Sequence, residues 1–138
     1  MNLKYFIVLG ISLSGLLCLK AQQKELSVNS VIEMMKSSND DDYTVQEKID
    51  YAKAAVSLAK SIDNDSICLK ALGNLADLTL RNGDFVTSKA TNRKIIELSN
   101  KVHDSLGLGL AHYALGYTFA AEEQNDSSYY HFYRAANI

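Results

Sequence analysis

Apolar and polar positions alternate with the period of an α-helix over most of this chain. Between Leu69 and Val102 the apolar and small side chains recur every three or four residues, which places them on one stripe of each of two helices. Asn82-Gly83 interrupts the pattern, and Gly readily takes the left-handed backbone that ends a helix. Asp84 follows, where it can cap the next helix by accepting from its free N–H groups. The stretch therefore predicts two amphipathic helices folded against each other.

The same pattern returns forty residues later. Seven apolar or small positions have a counterpart of similar character at that spacing, and no gap is needed. The pairs are Leu58 and Leu98, Ile62 and Val102, Ala71 and Ala111, Leu75 and Leu115, Ala76 and Gly116, Ser88 and Ser128, and Ile95 and Ala135. A two-helix unit cannot bury its apolar stripe alone, so repeated units stack and share a core. The sequence therefore predicts an all-α solenoid of helical hairpins.

The segments around these units complete the predicted organisation. Thr44-Val45-Gln46-Glu47 is a capping box that starts a helix, and Asn125-Asp126 is predicted to cap the last helix. The predicted divisions are a signal peptide at 1–21, a leading helix and acidic loop at 22–43, and helical repeats at 44–138. Within the repeats, residues 44–62 form the second helix of unit one, 66–102 form unit two, and 105–138 form a truncated unit three.

The repeat positions resemble those of a known family. Leu72-x-x-Leu75-Ala76, Gly83-Asp84-Phe85, Ser88 and Ile95 in unit two, and Leu115-Gly116, Phe119, Ser128, Phe132 and Ala135 in unit three, resemble the tetratricopeptide repeat pattern. The spacing of forty resembles the longer variant of that repeat. The chain departs from the pattern at Asn92, where the family has an aromatic residue, and at His112, where it has a large apolar one. The resemblance implies an α-α superhelix.

In tetratricopeptide arrays the first helices of the units line a concave groove that holds a partner segment. Carried over to this chain, the groove positions are Lys70, Gly73, Asp77 and Arg81 in unit two and Leu110, Tyr113, Tyr117 and Ala121 in unit three, with Asn74 beside them. Tyrosines suit recognition because each presents a large rigid face and a polar tip. The alternative is that Tyr113 and Tyr117 pack on a further repeat.

The function that the resemblance implies is a non-catalytic interaction module that binds a protein or peptide. The alternative is the exported sensory region of a membrane-bound signalling regulator with a histidine kinase or helix-turn-helix output domain. An apolar run of about 20 residues beyond Ile138 would favour the regulator. Ile138 is equivalent to Leu98, where the helix of unit two continues to Val102. The sequence therefore predicts an incomplete array, or a terminal face that another chain or a second copy covers.

The residues with reactive potential do not form a recognisable catalytic motif. The sequence has no GxxxxGK[ST], HExxH, paired CxxC or GxSxG, so neither an enzyme nor a cofactor is predicted. Cys68 lies on the apolar stripe and is expected to be buried. His112 and His131 are expected on facing helices, where the absence of a third ligand at a fitting spacing favours a structural role over a metal site. The 14 basic and 16 acidic residues form no basic stripe, which argues against nucleic-acid binding.

The first 21 residues have the character of a signal peptide. Lys4 precedes the apolar run Tyr5–Leu19, and Ala21 offers a small residue for cleavage before Gln22. The run of 15 residues is shorter than the ~20 that a spanning helix needs, which favours a cleaved signal peptide over the alternative of an uncleaved anchor. Lipidation at Cys18 is disfavoured because the large Leu17 precedes it. The leader resembles those of exported proteins of Bacteroidetes-type Gram-negative bacteria. We expect a periplasmic or secreted protein whose repeats do not touch the membrane.

Cleavage of this leader is directly measurable. Expressed with its own N-terminus in a Gram-negative host, the protein should accumulate outside the cytoplasm with Gln22 as its first residue. Intact-mass spectrometry of the exported fraction checks this. Leu9→Arg, which places a charge in the apolar run, should leave the full-length chain inside the cell. Recovery of full-length wild-type protein in the membrane fraction would instead favour the anchor.

Overall fold

The computed structural model describes the backbone of residues 3–138 and the side chains from Cys18 onward. Within these residues six α-helices follow one another: α1 (Leu3–Ser37), α2 (Val45–Ser61), α3 (Asp65–Arg81), α4 (Phe85–Val102), α5 (Ser105–Ala121) and α6 (Asn125–Ala136). The described residues contain no strand. Each helix packs against the next, and α3 also contacts both α1 and α5. The all-α prediction is therefore confirmed.

The backbone repeats with the spacing that the side chains predict. Helices α2, α4 and α6 begin at residues 45, 85 and 125, and α3 and α5 begin at 65 and 105. The turns before α3, α4, α5 and α6 each contain one residue of left-handed backbone, at a spacing of twenty. These residues are Asp63 (φ 52°), Gly83 (φ 76°), His103 (φ 58°) and Glu123 (φ 59°). The structure is thus a helical repeat in which corresponding helices begin forty residues apart.

The last three of these turns close the preceding helix in the same way. The backbone N–H of Asp84 donates to the carbonyl of Thr79, and that of Asp104 donates to the carbonyl of Ser99, each at 2.9 Å. Gln124 makes the equivalent bond to Phe119. This six-residue closure satisfies a carbonyl that the helix end would otherwise leave free. A common turn geometry therefore sets where each helix ends and the next begins.

Side chains cap most of the helix starts. Thr44 and Glu47 form the predicted capping box: the Thr44 hydroxyl accepts from the Glu47 N–H, and the Glu47 carboxylate accepts from the Thr44 N–H at 2.9 Å. Asp84 accepts from the Thr87 N–H at 3.0 Å, and hydrogen bonding from the Thr87 side chain, followed by this backbone bond, lowers the pKa of Asp84. The predicted cap of the last helix was wrong. Asn125 is already helical, because the left-handed turn at residue 123 puts residue 124 at the cap position.

The core consists mainly of small and branched apolar side chains. Ala71 and its counterpart Ala111 are 0% and 2% exposed, and Leu75 and Leu115 are 7% and 1% exposed. These two pairs are therefore buried alike, whereas Ile62 is 8% exposed and its counterpart Val102 is 36% exposed. Asn92 is buried as well, and its amide donates to the Ser88 carbonyl at 3.0 Å, which satisfies the polar group where the family pattern has an aromatic ring.

The leading helix is longer than predicted. It is one continuous helix from Leu3 to Ser37, whereas the sequence predicts a leading helix only within residues 22–43. The predicted leader, Met1–Ala21, falls largely on residues whose side chains lie outside the described part, so its export role stays a prediction. Among the described residues, no helix combines the length and apolar character needed to span a bilayer.

The turn geometry predicts opposite effects for two glycines. Gly83→Ala should destabilise the protein by about 1 kcal/mol, because a Cβ is disfavoured at a φ of 76°. Gly73→Ala should stabilise it by roughly 0.5–1 kcal/mol, because Gly73 is in a helix and its added Cβ would meet no atom within 4 Å. Urea unfolding followed by circular dichroism measures both changes. Equal effects from the two substitutions would contradict this assignment of the turn.

Candidate binding groove

The structure contains an open groove between α3 and α5. Its volume is about 1010 Å³, and residues of α4, among them Asn92 and Ile95, also line it. Eight of the positions predicted from the family resemblance line it: Lys70, Gly73, Asp77, Arg81, Leu110, Tyr113, Tyr117 and Ala121. They meet because α3 and α5 begin forty residues apart, which gives equivalent positions the same orientation. Their role in binding a partner stays a prediction.

The α5 side of the groove carries large exposed apolar side chains. Leu110, Tyr113 and Tyr117 are 61%, 58% and 56% exposed. Leu106, which is 73% exposed, extends the row toward the start of α5 and was missed by the sequence analysis. The signal was present, since the spacing 106, 110, 113, 117 is that of one helical face. Large side chains held open to solvent in a groove are available to a binding partner.

The α3 side of the groove is charged. The Asp77 carboxylate lies 2.8 Å from the Arg81 guanidinium, and both side chains are mostly exposed. An exposed pair of this kind contributes little to stability, because water and salt screen it. It does place one acceptor and one donor group opposite the apolar row. The α3 side of the groove therefore adds charged groups beside its apolar lining residues Leu69, Ala76 and Leu80.

Asn74 lies outside this groove, although the resemblance places it beside the groove positions. Its side-chain oxygen accepts from the Asn39 amide at 2.7 Å, and its amide donates to the Ser38 hydroxyl at 2.6 Å. These bonds hold α3 against the turn that follows α1. The Asn74 side chain is therefore part of a structural contact.

Helix α6 supports the apolar wall from behind. The Tyr113 ring lies 5.5 Å from the Phe132 ring of α6, at an interplanar angle of 59°. Phe132 also packs directly on Gly116, where an added Cβ would lie 2.7 Å from the ring. The close approach of α6 to α5 therefore depends on the absence of a side chain at residue 116.

A pair of histidines joins the same two helices. The Nδ1 atoms of His112 and His131 lie 2.9 Å apart, so one ring donates and the other accepts. Burial is the main cause of the lowered pKa of both rings. Arg134 further lowers the pKa of His112, and His112 and Arg93 lower that of His131. The prediction that the two histidines lie on facing helices is confirmed.

The residues that line the groove, within the described part of the chain, are apolar, aromatic, amide-bearing or charged. None of them is Ser, Thr, Cys or His. The described part of the chain also has no group of three or more His, Cys, Asp or Glu side chains that could hold a metal ion. Cys68 is buried as predicted, and burial raises the pKa of its thiol, which keeps it protonated at neutral pH.

The Gly116 contact predicts an overpacking effect. Gly116→Ala should destabilise the protein by about 1–3 kcal/mol, because Phe132 must move to admit a methyl group. The matched control is Gly109→Ala on the same helix, where the nearest atom to an added Cβ is a backbone oxygen at 4.0 Å. That change should stabilise by roughly 0.5–1 kcal/mol. Urea unfolding measures both, and a stabilising Gly116→Ala would contradict the packing described here.

Comparisons with protein-family models, curated proteins and solved structures give no match for this chain. The resemblance to tetratricopeptide repeats therefore rests on the residues of the chain itself.

Proposed function

We propose that this chain is a non-catalytic interaction module, built from tetratricopeptide-like helical hairpins, that binds a segment of a protein or peptide in the groove between α3 and α5. The observation that carries the proposal is the groove itself, about 1010 Å³ in volume, into which residues of both units project at a spacing of forty. Grooves flanked by successive helices are common sites for peptide recognition. The exported location predicted from the leader would place this interaction outside the cytoplasm.

The repeat supports the tetratricopeptide-like part of the proposal. Helices at equivalent positions begin forty residues apart, and Leu75 and Leu115 occupy equally buried sites. A solenoid of stacked hairpins would require this equivalence, because each unit then packs against a copy of the same surface. The same stacking would give the first helices a common concave side, on which the groove between α3 and α5 would lie.

The two walls of the groove indicate the chemistry of the occupant. The row from Leu106 to Tyr117 favours a segment with apolar side chains at helical or alternating spacing, since burial of apolar surface drives association. The tyrosine hydroxyls and the Asp77–Arg81 pair can receive backbone or side-chain polar groups. The expected ligand is thus an amphipathic segment with an apolar face toward α5.

The proposal is testable with peptides selected from a random library on the wild-type chain. Tyr117→Ala should weaken their binding by roughly 10- to 100-fold, the range for an aromatic residue central to an interface. Tyr129→Ala is the matched control, because Tyr129 is 73% exposed on α6 and does not line the groove. Isothermal calorimetry with one selected peptide measures each affinity. Equal affinities for the two variants would refute the groove assignment.

The thermal melt separates recognition from folding. Tyr117→Ala should leave the melting temperature nearly unchanged, since its side chain is more than half exposed. Leu75→Ala should destabilise by roughly 2–5 kcal/mol, because it empties a buried site. Equal destabilisation by the two substitutions would mean that Tyr117 is a packing residue rather than a recognition residue.

A further inference from the structure

The contact between α5 and α6 contains an unusual pairing of two titratable rings. His112 is 6% exposed on α5, and its Nδ1 atom lies 2.9 Å from that of His131 on α6. Only one proton fits between two nitrogen atoms at this distance. The hydrogen bond is therefore formed when one of the two Nδ1 atoms carries a proton and the other does not, and it is lost when both carry one.

The surroundings of the pair make the charged state costly. The Phe119 ring stacks on His131 at 5.3 Å, and the Tyr130 ring meets His131 edge-on at 5.1 Å. On α4, Lys89 lies 5.2 Å from the Phe119 centroid and is already bound to the Glu122 carboxylate at 2.6 Å. Besides the two rings themselves, the charged side chains that lower the pKa of the imidazoles are Arg134 of α6, for His112, and Arg93 of α4, for His131. Neither compensates a positive charge on the rings.

We propose that α6 is an acid-released helix, held on α5 at neutral pH by the paired imidazoles of His112 and His131 and detached when both become protonated. Among the described helices, α6 packs on α5 alone, so its release leaves the packing of α1 to α5 in place. Release would also remove Phe132 from behind Tyr113. The inference stands on the α5–α6 contact and does not require the groove to bind a partner.

The direction of the pH effect follows from the lowered pKa of both rings. The released state binds more protons than the docked state, so docking is strongest above the ordinary histidine pKa of 6.5. It weakens as the pH falls through that value toward the lower pKa of the docked rings. Two rings titrating together make this loss steeper than a single histidine would.

Hydrogen–deuterium exchange on the full chain tests the proposal. Between about pH 7.5 and about pH 5, protection of residues 125–136, corrected for intrinsic exchange, should fall by about tenfold or more. Protection of α3 should change by less than about threefold over the same range. Parallel loss in both helices, no loss in α6, or a loss that begins only near about pH 4, where carboxylates titrate, would overturn the proposal.

Two asparagine variants assign the effect to the pair. His131→Asn places an amide that cannot gain a proton where the Nδ1 atom lies, so the acid-dependent loss in α6 should disappear. His103→Asn is the matched control: His103 is the third histidine, exposed in a left-handed turn that Asn tolerates, and its removal should leave the loss unchanged. Loss persisting in His131→Asn would overturn the proposal. If that variant lacks α6 protection at neutral pH, His112→Asn takes its place, and if both lack it the wild-type profile decides.

Discussion

The regular return of a left-handed residue every twenty positions is the constraint on which the rest of the structure depends. Asp63, Gly83, His103 and Glu123 each reverse the chain after a helix of nearly the same length. Equal helix lengths mean that a residue and its counterpart forty positions later point in the same direction. The shared core and the common side of α3 and α5 both follow from this register.

Small side chains at the helix contacts let helices arranged in this register pack closely against one another. Ala71, Ala76 and Ala111 are almost fully buried, and the glycine at position 116 admits the Phe132 ring directly against the backbone of α5. Helices that approach this closely exclude water with little side-chain volume. The large apolar residues that are not needed in the core can then lie at the surface, and Leu110, Tyr113 and Tyr117 do so along the groove.

The groove and the histidine pair are connected through α6. Tyr113 lies in the groove wall and contacts Phe132, while the neighbouring His112 contacts His131 on the same helix α6. One helix therefore supports the wall and also carries a titratable contact. Any change in how α6 lies on α5 would reach the groove through Phe132, since that ring lies behind Tyr113.

Sequence alone was sufficient for the features set by local chemistry and by repetition. The helical period, the cap at Thr44, the turn at Gly83 and the spacing of forty are all encoded in neighbouring or regularly spaced residues, and they specify an all-α repeat. The same spacing placed eight residues that the structure brings to one groove. Leu106 could have been added by extending the helical face, because its signal was equally local.

Only the tertiary structure decided features that depend on atoms from distant segments. Asn74 lies outside the groove because its side-chain amide forms hydrogen bonds with Ser38 and Asn39, in the turn that follows α1. The cap position of α6 is residue 124 and not the predicted Asn125, because the left-handed turn at residue 123 determines where the helix begins. Asn125 has the better capping side chain but already lies inside the helix. The distance between the two histidine rings, and hence their single shared proton, was also invisible in the sequence. Spacing predicts which face a residue occupies, but three-dimensional packing determines which neighbour it meets there.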